Sequence, residues 1–569
     1  MSWSCARHRA WMAGCCTVLL VAAATASVAA DGPRDTALAK ALNSSAVEQR
    51  EWALDRLIET PDPDPAILRH IAGLLDDRDG YVAGKAATAL SRLGVDAFDT
   101  IDGILAHGTA QQRWAATVAL YQTGADIDRF LPQLMRQLGL EDQRIVYASL
   151  AVLARMQSRA VVALPALQPL LQHAERSIRR ATLETLAAMG PAARDAVPAL
   201  SPLLLDAAAD VRLAAATAMR RIVPPAPIAN ERLVAYQAWL QEHVPALMRE
   251  HHVPGVSIAI IQEGSVRWAQ GFGVSDVRGQ QPVATDTIFE ACSMSKPILA
   301  LSVLQLIQQG RLDLDAPLTH YLGRDYLRDQ PAQDLITARM ALTHRTGLPN
   351  WRVGYDEMGG PLPLLFSPGS DYSYSGEGIL FLQRALEAIT GTTLDRFAQQ
   401  GLFAPLGLRH TSYVWTPAIE QNLASGHRED GSFKDRTHYR RANGAYSLYT
   451  TPTEYAELML TLMRPERLGA AAFTPASVET LLQRAQRVDD GDAIARPGLA
   501  RSVATYRTLG WSVDVSAEGD IVQHTGSNSS GFRTFGQFNR DKGSGLVIFT
   551  NGDNGSSVRA AILAQIGDL

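Results

Sequence analysis

Ser293 and Lys296 stand three residues apart in Glu290-Ala291-Cys292-Ser293-Met294-Ser295-Lys296-Pro297. The chain has five lysines, Lys40, Lys85, Lys296, Lys434 and Lys542, against 53 Lys plus Arg together. Arginine is therefore its default cation, and each lysine asks for a reason. A guanidinium keeps its proton at any working pH, whereas an amine can lose one and act as a base. Three residues apart on a helix, the two side chains share a face, so the amine can reach the hydroxyl. A Ser-x-x-Lys also arises by chance in a chain this long, so its surroundings must decide.

Two further stretches carry groups suited to acyl transfer. Tyr372-Ser373-Tyr374-Ser375-Gly376 follows Ser367-Pro368-Gly369, and His524-Thr525-Gly526-Ser527 lies near the C-terminus. Other signals read as structural. Cys292 has no Cys-His partnership and reads as a small packing residue. His251-His252 and Asp489-Asp490-Gly491-Asp492 lack the ligand spacing of a metal site. We find no Gly-x-Ser-x-Gly, which argues against an α/β-hydrolase elbow.

The 569 residues are about three domains' worth of chain, or fewer if one is a large catalytic unit. A formal charge of −5 gives no electrostatic case for nucleic acid or an anionic membrane. Apolar content of 46% with 20% charged residues suits a globular core. Residues 1–30 differ in kind: Arg7 and Arg9 precede an uncharged, Ala-rich stretch ending in small residues. This reads as a signal peptide and predicts export, to the periplasm or outside the cell. A membrane would be a partner only if the segment stayed uncleaved, since about 20 uncharged residues can just span a bilayer. Cys5, Cys15 and Cys16 leave with the signal, so the mature chain holds one thiol and no internal disulfide.

Residues 38–224 are helix-forming sequence with a fixed repeat. Ile145, Ile178 and Val211 open matching segments 33 residues apart, and Gln112, Val82 and Gln49 continue the register upstream. Leu164-Pro165-Ala166-Leu167 and Val197-Pro198-Ala199-Leu200 repeat the companion helix at the same spacing. Such a period predicts stacked helical hairpins, each burying its stripe against the next. The segment resembles HEAT-like repeats, which implies an α-solenoid and a docking surface for a protein or peptide partner; spacing or stabilising the second half is the alternative.

A linker helix is predicted over 225–250, then a distinct domain over 251–569. Val256–Ile261 and Ser265–Ala269 flank Gln262-Glu263-Gly264, a hairpin signal. Strand sequence returns in Leu509–Val513, Gly531–Phe538 and Leu546–Asn551, with helical sequence between. One antiparallel sheet built from both ends of a domain, flanked by helices and carrying a helical insertion, is an α+β arrangement.

This second half resembles the serine β-lactamase and penicillin-binding family, in the branch of class C β-lactamases, D-alanyl-D-alanine carboxypeptidases, D-aminopeptidases and carboxylesterases. The resemblance rests on Thr287-Ile288-Phe289-Glu290 ahead of the Ser-x-x-Lys, Gln305–Ile307 through Gly310–Asp315, Leu342-Thr343-His344-Arg345-Thr346-Gly347-Leu348-Pro349, Pro405-Leu406-Gly407-Leu408 and Gly510-Trp511. It implies that Ser293 is the nucleophile, Lys296 accepts or shuttles its proton, and Tyr374 is the partner base or relay. The third element, Lys-Thr-Gly or His-Thr-Gly on an edge strand, is matched by His524, Thr525 and Gly526. His524 would supply a donor facing the serine and tyrosine, Thr525 would bond a carboxylate or carbonyl, and Gly526 would let substrate lie against the strand. Backbone N–H groups of Ser293 and Ser527 would form the oxyanion hole. One position departs from the pattern: Gly376 stands where the family has an Asn that bonds the lysine and the substrate amide. The expected activity is acyl-enzyme hydrolysis of an ester, amide or lactam in a small molecule or peptide, without metal or organic cofactor. Gly376 orders the alternatives as carboxylesterase, D-amino-acid peptidase and β-lactamase. A catalytically silent penicillin-recognising binding protein is the reading from another class.

Overall fold

The computed structural model describes residues 33–61, 64–324, 326–327, 330–352, 362–471, 473–488 and 502–569. The segment read as an export signal and the acidic stretch 489–492 lie outside them. The chain divides into two compact units, 1–152 and 153–569.

The first unit is helical. Its helices include Val47–Glu59, Gly80–Leu93 and Ala110–Gln122, and each buries an apolar face, such as Ala53, Leu54 and Leu57 in the first of them. Arg50 makes a contact that the 33-residue register predicts should recur. It donates to the carbonyls of Ser44 and Ser45 at 2.9 and 3.1 Å and pairs with Asp77 at 2.8 Å. In the second unit, Arg179 donates to the carbonyls of His173 and Ala174 at 2.8 and 3.0 Å and pairs with Asp206. Arg212 likewise reaches the carbonyls of Asp206 and Ala207, at 2.7 and 3.1 Å. Each arginine satisfies loop carbonyls that would otherwise be left unpaired between helices.

The second unit contains the helices from Arg176–Met189 onward and a nine-stranded sheet. Its strands are β1 (Gly255–Gln262), β2 (Ser265–Asp276) and β3 (Gln281–Pro282), then β6 (Gln486–Arg487), β7 (Ser502–Arg507), β8 (Ser512–Ser516), β9 (Gly519–Ser527), β10 (Arg533–Asn539) and β11 (Ser544–Thr550). The order is β3-β2-β1-β11-β10-β9-β8-β7-β6, and every pairing is antiparallel. The expected hairpin closes through Glu263 and Gly264, both at positive φ, 51° and 67°, as a two-residue hairpin turn requires. Both ends of the domain meet where β1 pairs β11, Val256 opposite Thr550.

Alternation along β1 assigns its side chains to two cores. Val256, Ile258 and Ile260 face the helices Asn230–Glu250 and Gly555–Ile566 together with Phe535 and Ile548. Ala259 and Ile261 face the opposite layer, with Phe538, Phe549 and the helix Ser295–Gln308. That helix is apolar nearly all round, and every residue from Ser295 to Leu306 is buried, so its start is fixed rigidly. A short pair, β4 (Phe289–Glu290) with β5 (Tyr449–Thr450), ties the approach to this helix to the segment before residue 450.

Two strand expectations are corrected. Leu509–Trp511 is a turn, and β8 begins only at Ser512. Gly510 has φ 81°, and a Cβ there would lie 2.7 Å from Ala300 Cβ, so the turn packs its bare backbone on the Ser295–Gln308 helix. Strand β7 was not anticipated from the sequence.

Candidate active site

Ser293 sits in the single turn Cys292–Met294 that runs into the helix Ser295–Gln308. Cys292 holds a left-handed φ of 57°, a conformation that persists only where its surroundings impose it. They do so from several sides. Ala291 N–H donates to the Leu448 carbonyl at 2.7 Å, and Thr534 Oγ1 donates to the Ala291 carbonyl at 2.8 Å. Ser295 Oγ donates to the Cys292 carbonyl at 2.6 Å and accepts from Leu448 N–H at 3.0 Å. The phenols of Tyr455 and Tyr413 donate to the carbonyls of Met294 and Ser295, both at 3.0 Å. Cys292 itself is buried, and burial pushes its thiol pKa up, in keeping with a packing residue rather than a nucleophile.

Lys296, one helical turn on, is 1% exposed. Its Nζ lies 3.1 Å from Ser293 Oγ and donates to the Ala445 carbonyl at 2.8 Å. Both partners are neutral oxygens, and among the described residues no carboxylate pairs with it. The same Nζ stands 4.7 Å from the ring centroid of Tyr374. The two motif segments, 78 residues apart in sequence, thus converge on Lys296 as expected.

His524 to Ser527 form the end of β9. β10 pairs with all four, from Gly536 opposite His524 to Arg533 opposite Ser527. On the other side β8 reaches only to Gln523. The strand is therefore interior to the sheet, yet over 524–527 one edge is free of a neighbour, which preserves the local edge the motif calls for. A Cβ on Gly526 would fall under 3.0 Å from Thr534 Oγ1, the Ala291 carbonyl and Cys292 Cβ, so this strand lies directly on the serine turn. Ser527 is exposed and Thr525 half-buried. His524 Nδ1 is 2.7 Å from the Thr525 carbonyl, which only accepts, so Nδ1 carries a proton. A neutral His524 then presents an accepting Nε2, and only the imidazolium donates from both nitrogens.

Three groups at the site carried sequence signals whose roles were not read. Glu290, buried three residues before Ser293, accepts from Tyr439 Oη at 2.8 Å, Asn528 Nδ2 at 3.0 Å and Ser530 Oγ at 2.7 Å. It ties the loop after β9 to the serine turn, and burial raises its pKa. Arg507, at the end of β7, donates from Nε to Tyr372 Oη at 3.0 Å. His344 lies in the motif Leu342–Pro349 and has φ 58°. Its ring centroid is 4.3 Å from that of Tyr374, and its Nδ1 accepts from Ser375 N–H at 3.2 Å.

Burial, followed by the influence of Arg507, Lys296 and His524, holds the His344 pKa well below the ordinary histidine value. The sign of the resulting pH dependence follows. Below about pH 6.5 an unfolded His344 takes a proton that the folded one refuses, so its contribution to stability is present above that pH and lost as pH falls toward the folded pKa. The unfolding midpoint is expected to drop on acidification from about pH 7 to 5, and His344→Gln to flatten that slope. Thermal melts across this range check it; identical slopes would remove His344 from the account.

Comparison with known proteins now bears on the site. The Beta-lactamase family model matches residues 240–568. The chain belongs to this family. Among its curated relatives is Esterase EstB of Burkholderia gladioli, 31% identical over 193 residues, which are 29% of this chain and 49% of EstB. Unguisins hydrolase ungD of Aspergillus violaceofuscus is 24% identical over 307 residues, covering 48% of this chain and 54% of the relative. The chain thus spans about half the length of these relatives. The octameric penicillin-binding protein homologue from Pyrococcus abyssi has a similar fold, with a TM-score of 0.50 and 21% identity over 58% of this chain and 76% of that one.

Proposed function

We propose that this chain is an exported serine hydrolase that works through an acyl-enzyme, with esters as its preferred substrates. The observation that carries the reading is the buried Lys296 Nζ, 3.1 Å from Ser293 Oγ and bonded otherwise only to the Ala445 carbonyl. Ser293 Oγ attacks the acyl carbonyl as Lys296 takes its proton. Tyr374, its ring against the same Nζ, relays a proton to the leaving group. The backbone N–H groups of Ser293 and Ser527 receive the oxyanion, and His524 and Thr525 border the free edge along which substrate lies. Water then releases the acid by the reverse sequence of proton transfers. No step needs a metal or an organic cofactor.

The preference for esters rests on Gly376. Without an asparagine side chain there, nothing at this position bonds an amide in the substrate, and peptides and lactams lose a contact that esters do not need. The repeated Arg50, Arg179 and Arg212 contacts support a HEAT-like solenoid for 38–224, which we assign as a platform for a protein or peptide partner.

A panel of short p-nitrophenyl esters, a D-Ala-D-Ala peptide and nitrocefin tests the assignment. Turnover is expected on the esters at no less than about tenfold higher kcat/KM than on the other two. Turnover of none of them would overturn the hydrolase reading, and a preference for nitrocefin or the peptide would overturn the ester reading alone.

A further inference from the structure

The space that a side chain at residue 376 would claim is filled from elsewhere. A Cβ on Gly376 would lie under 3.0 Å from Cη2, Cζ3 and Cζ2 of Trp351, so the benzo edge of the indole rests on the bare Cα. No asparagine fits there while Trp351 keeps its position. The departure at 376 and the tryptophan 25 residues earlier are one feature.

The indole is held on both flanks. The Asn350 carbonyl accepts from the N–H groups of Gly376 and Glu377 at 3.0 and 3.1 Å, and Asn350 Oδ1 also accepts from Gly376 at 2.9 Å. On the other flank, Arg352 closes a two-pronged pair with Glu377, at 3.1 and 2.9 Å. The tryptophan ring meets Tyr446 edge to face, centroids 5.5 Å apart at 76°. Tyr446 adjoins Ala445, whose carbonyl holds Lys296, and Gly376 is two residues past Tyr374. Trp351 is only half-buried, so aromatic surface stays open between the two segments that meet at Lys296.

We infer that Trp351 sets the acyl specificity of the site: its indole, cornered by Tyr446, seats an aryl or branched-alkyl acyl group that carries no amide beside the reacting carbonyl. This rests on the ester-hydrolase reading above. An acylamino group placed there would lie against ring carbon, with no donor from residue 376 for its carbonyl. An apolar acyl group sheds water against the indole and gains ring contacts in the favoured edge or offset geometry.

The test compares p-nitrophenyl phenylacetate, acetate and N-acetylglycinate as substrates of the wild type, Trp351→Ala, Trp351→Phe and the double variant Trp351→Ala/Gly376→Asn. The wild type is expected to favour phenylacetate over each of the other two by about tenfold or more in kcat/KM. Trp351→Phe keeps that preference and Trp351→Ala loses it, while the double variant gains on N-acetylglycinate relative to acetate. Labelling of Ser293 by a fluorescent phosphonate reports that each variant retains a folded site, and the Phe variant carries the test should the Ala variant not fold. Wild-type ratios in a labelled Trp351→Ala, or loss of the preference in Trp351→Phe, would overturn the acyl-seat assignment. A wild type that turns over none of the three esters would instead overturn the hydrolase reading beneath it.

Discussion

Ser293→Ala is expected to lower kcat for ester hydrolysis by roughly 10⁴ to 10⁶, and Lys296→Ala by a similar factor, because nucleophile and base act as one unit. The sharper expectation concerns the double variant, which should be no slower than either single one. Once the amine is gone, the hydroxyl 3.1 Å away has no group to take its proton, and once the hydroxyl is gone the amine has nothing to activate. Residual turnover would come from binding and the oxyanion donors alone. Single-turnover rates on an activated ester, with phosphonate labelling as the covalent readout, measure this. Losses that multiply in the double variant would place Lys296 in a separate step, and labelling of Ser293→Ala at the wild-type level would put the nucleophile elsewhere.

Glu377→Gln is expected to destabilise the second unit by about 3–5 kcal/mol, because it leaves Arg352 buried beside a neutral amide. The side chains of Arg352 and Glu377 are 8% and 2% exposed. The carboxylate also accepts from Arg352 N–H at 3.2 Å and from Tyr326 Oη at 3.3 Å, so one change disturbs three donors. The companion change Arg352→Met alongside Glu377→Gln should recover much of the loss, since an apolar pair in that volume carries no stranded charge. Denaturant unfolding of the three variants decides it. A cost below about 1 kcal/mol for Glu377→Gln would mean that the pair is solvated in a way its burial denies.

Some of this was legible in the residues and some was not, for reasons that differ by position. The serine, lysine and tyrosine of the site were readable because their chemistry is tied to short local patterns: three residues make a helical face, and Tyr374 is set in a recognisable turn after Pro368-Gly369. The repeat was readable because Arg50, Arg179 and Arg212 recur at fixed spacing, and they prove to make the same carbonyl contacts. Gly376 was visible as an anomaly, but Trp351 was not visible as its counterpart, since nothing in linear spacing says which side chain will occupy a vacated volume. Glu290 and His344 sat inside quoted motifs without a role, because their function is to pair with Asn528, Ser530 and Tyr374, groups brought near only by the fold. Leu509–Trp511 looked like strand because it is apolar around an aromatic; Gly510 turns the chain there to press backbone on the Ser295–Gln308 helix.

The last repeat helix, Ala209–Ile222, has a consequence for how this protein can be cut. Its Ala216 packs with Val503 of β7 and Val515 of β8, beside Leu213 and Tyr506, and Arg220 pairs with Asp520 at 2.8 Å. A hydrolase fragment begun at residue 225, the natural place to cut by sequence, would bare those strand residues to water and leave Asp520 with Arg484 as its remaining ion-pair partner. β7 also ends in Arg507, which holds Tyr372 beside the candidate site. The smallest self-sufficient catalytic piece therefore starts ahead of residue 209, and the boundary between repeat and enzyme is a shared wall.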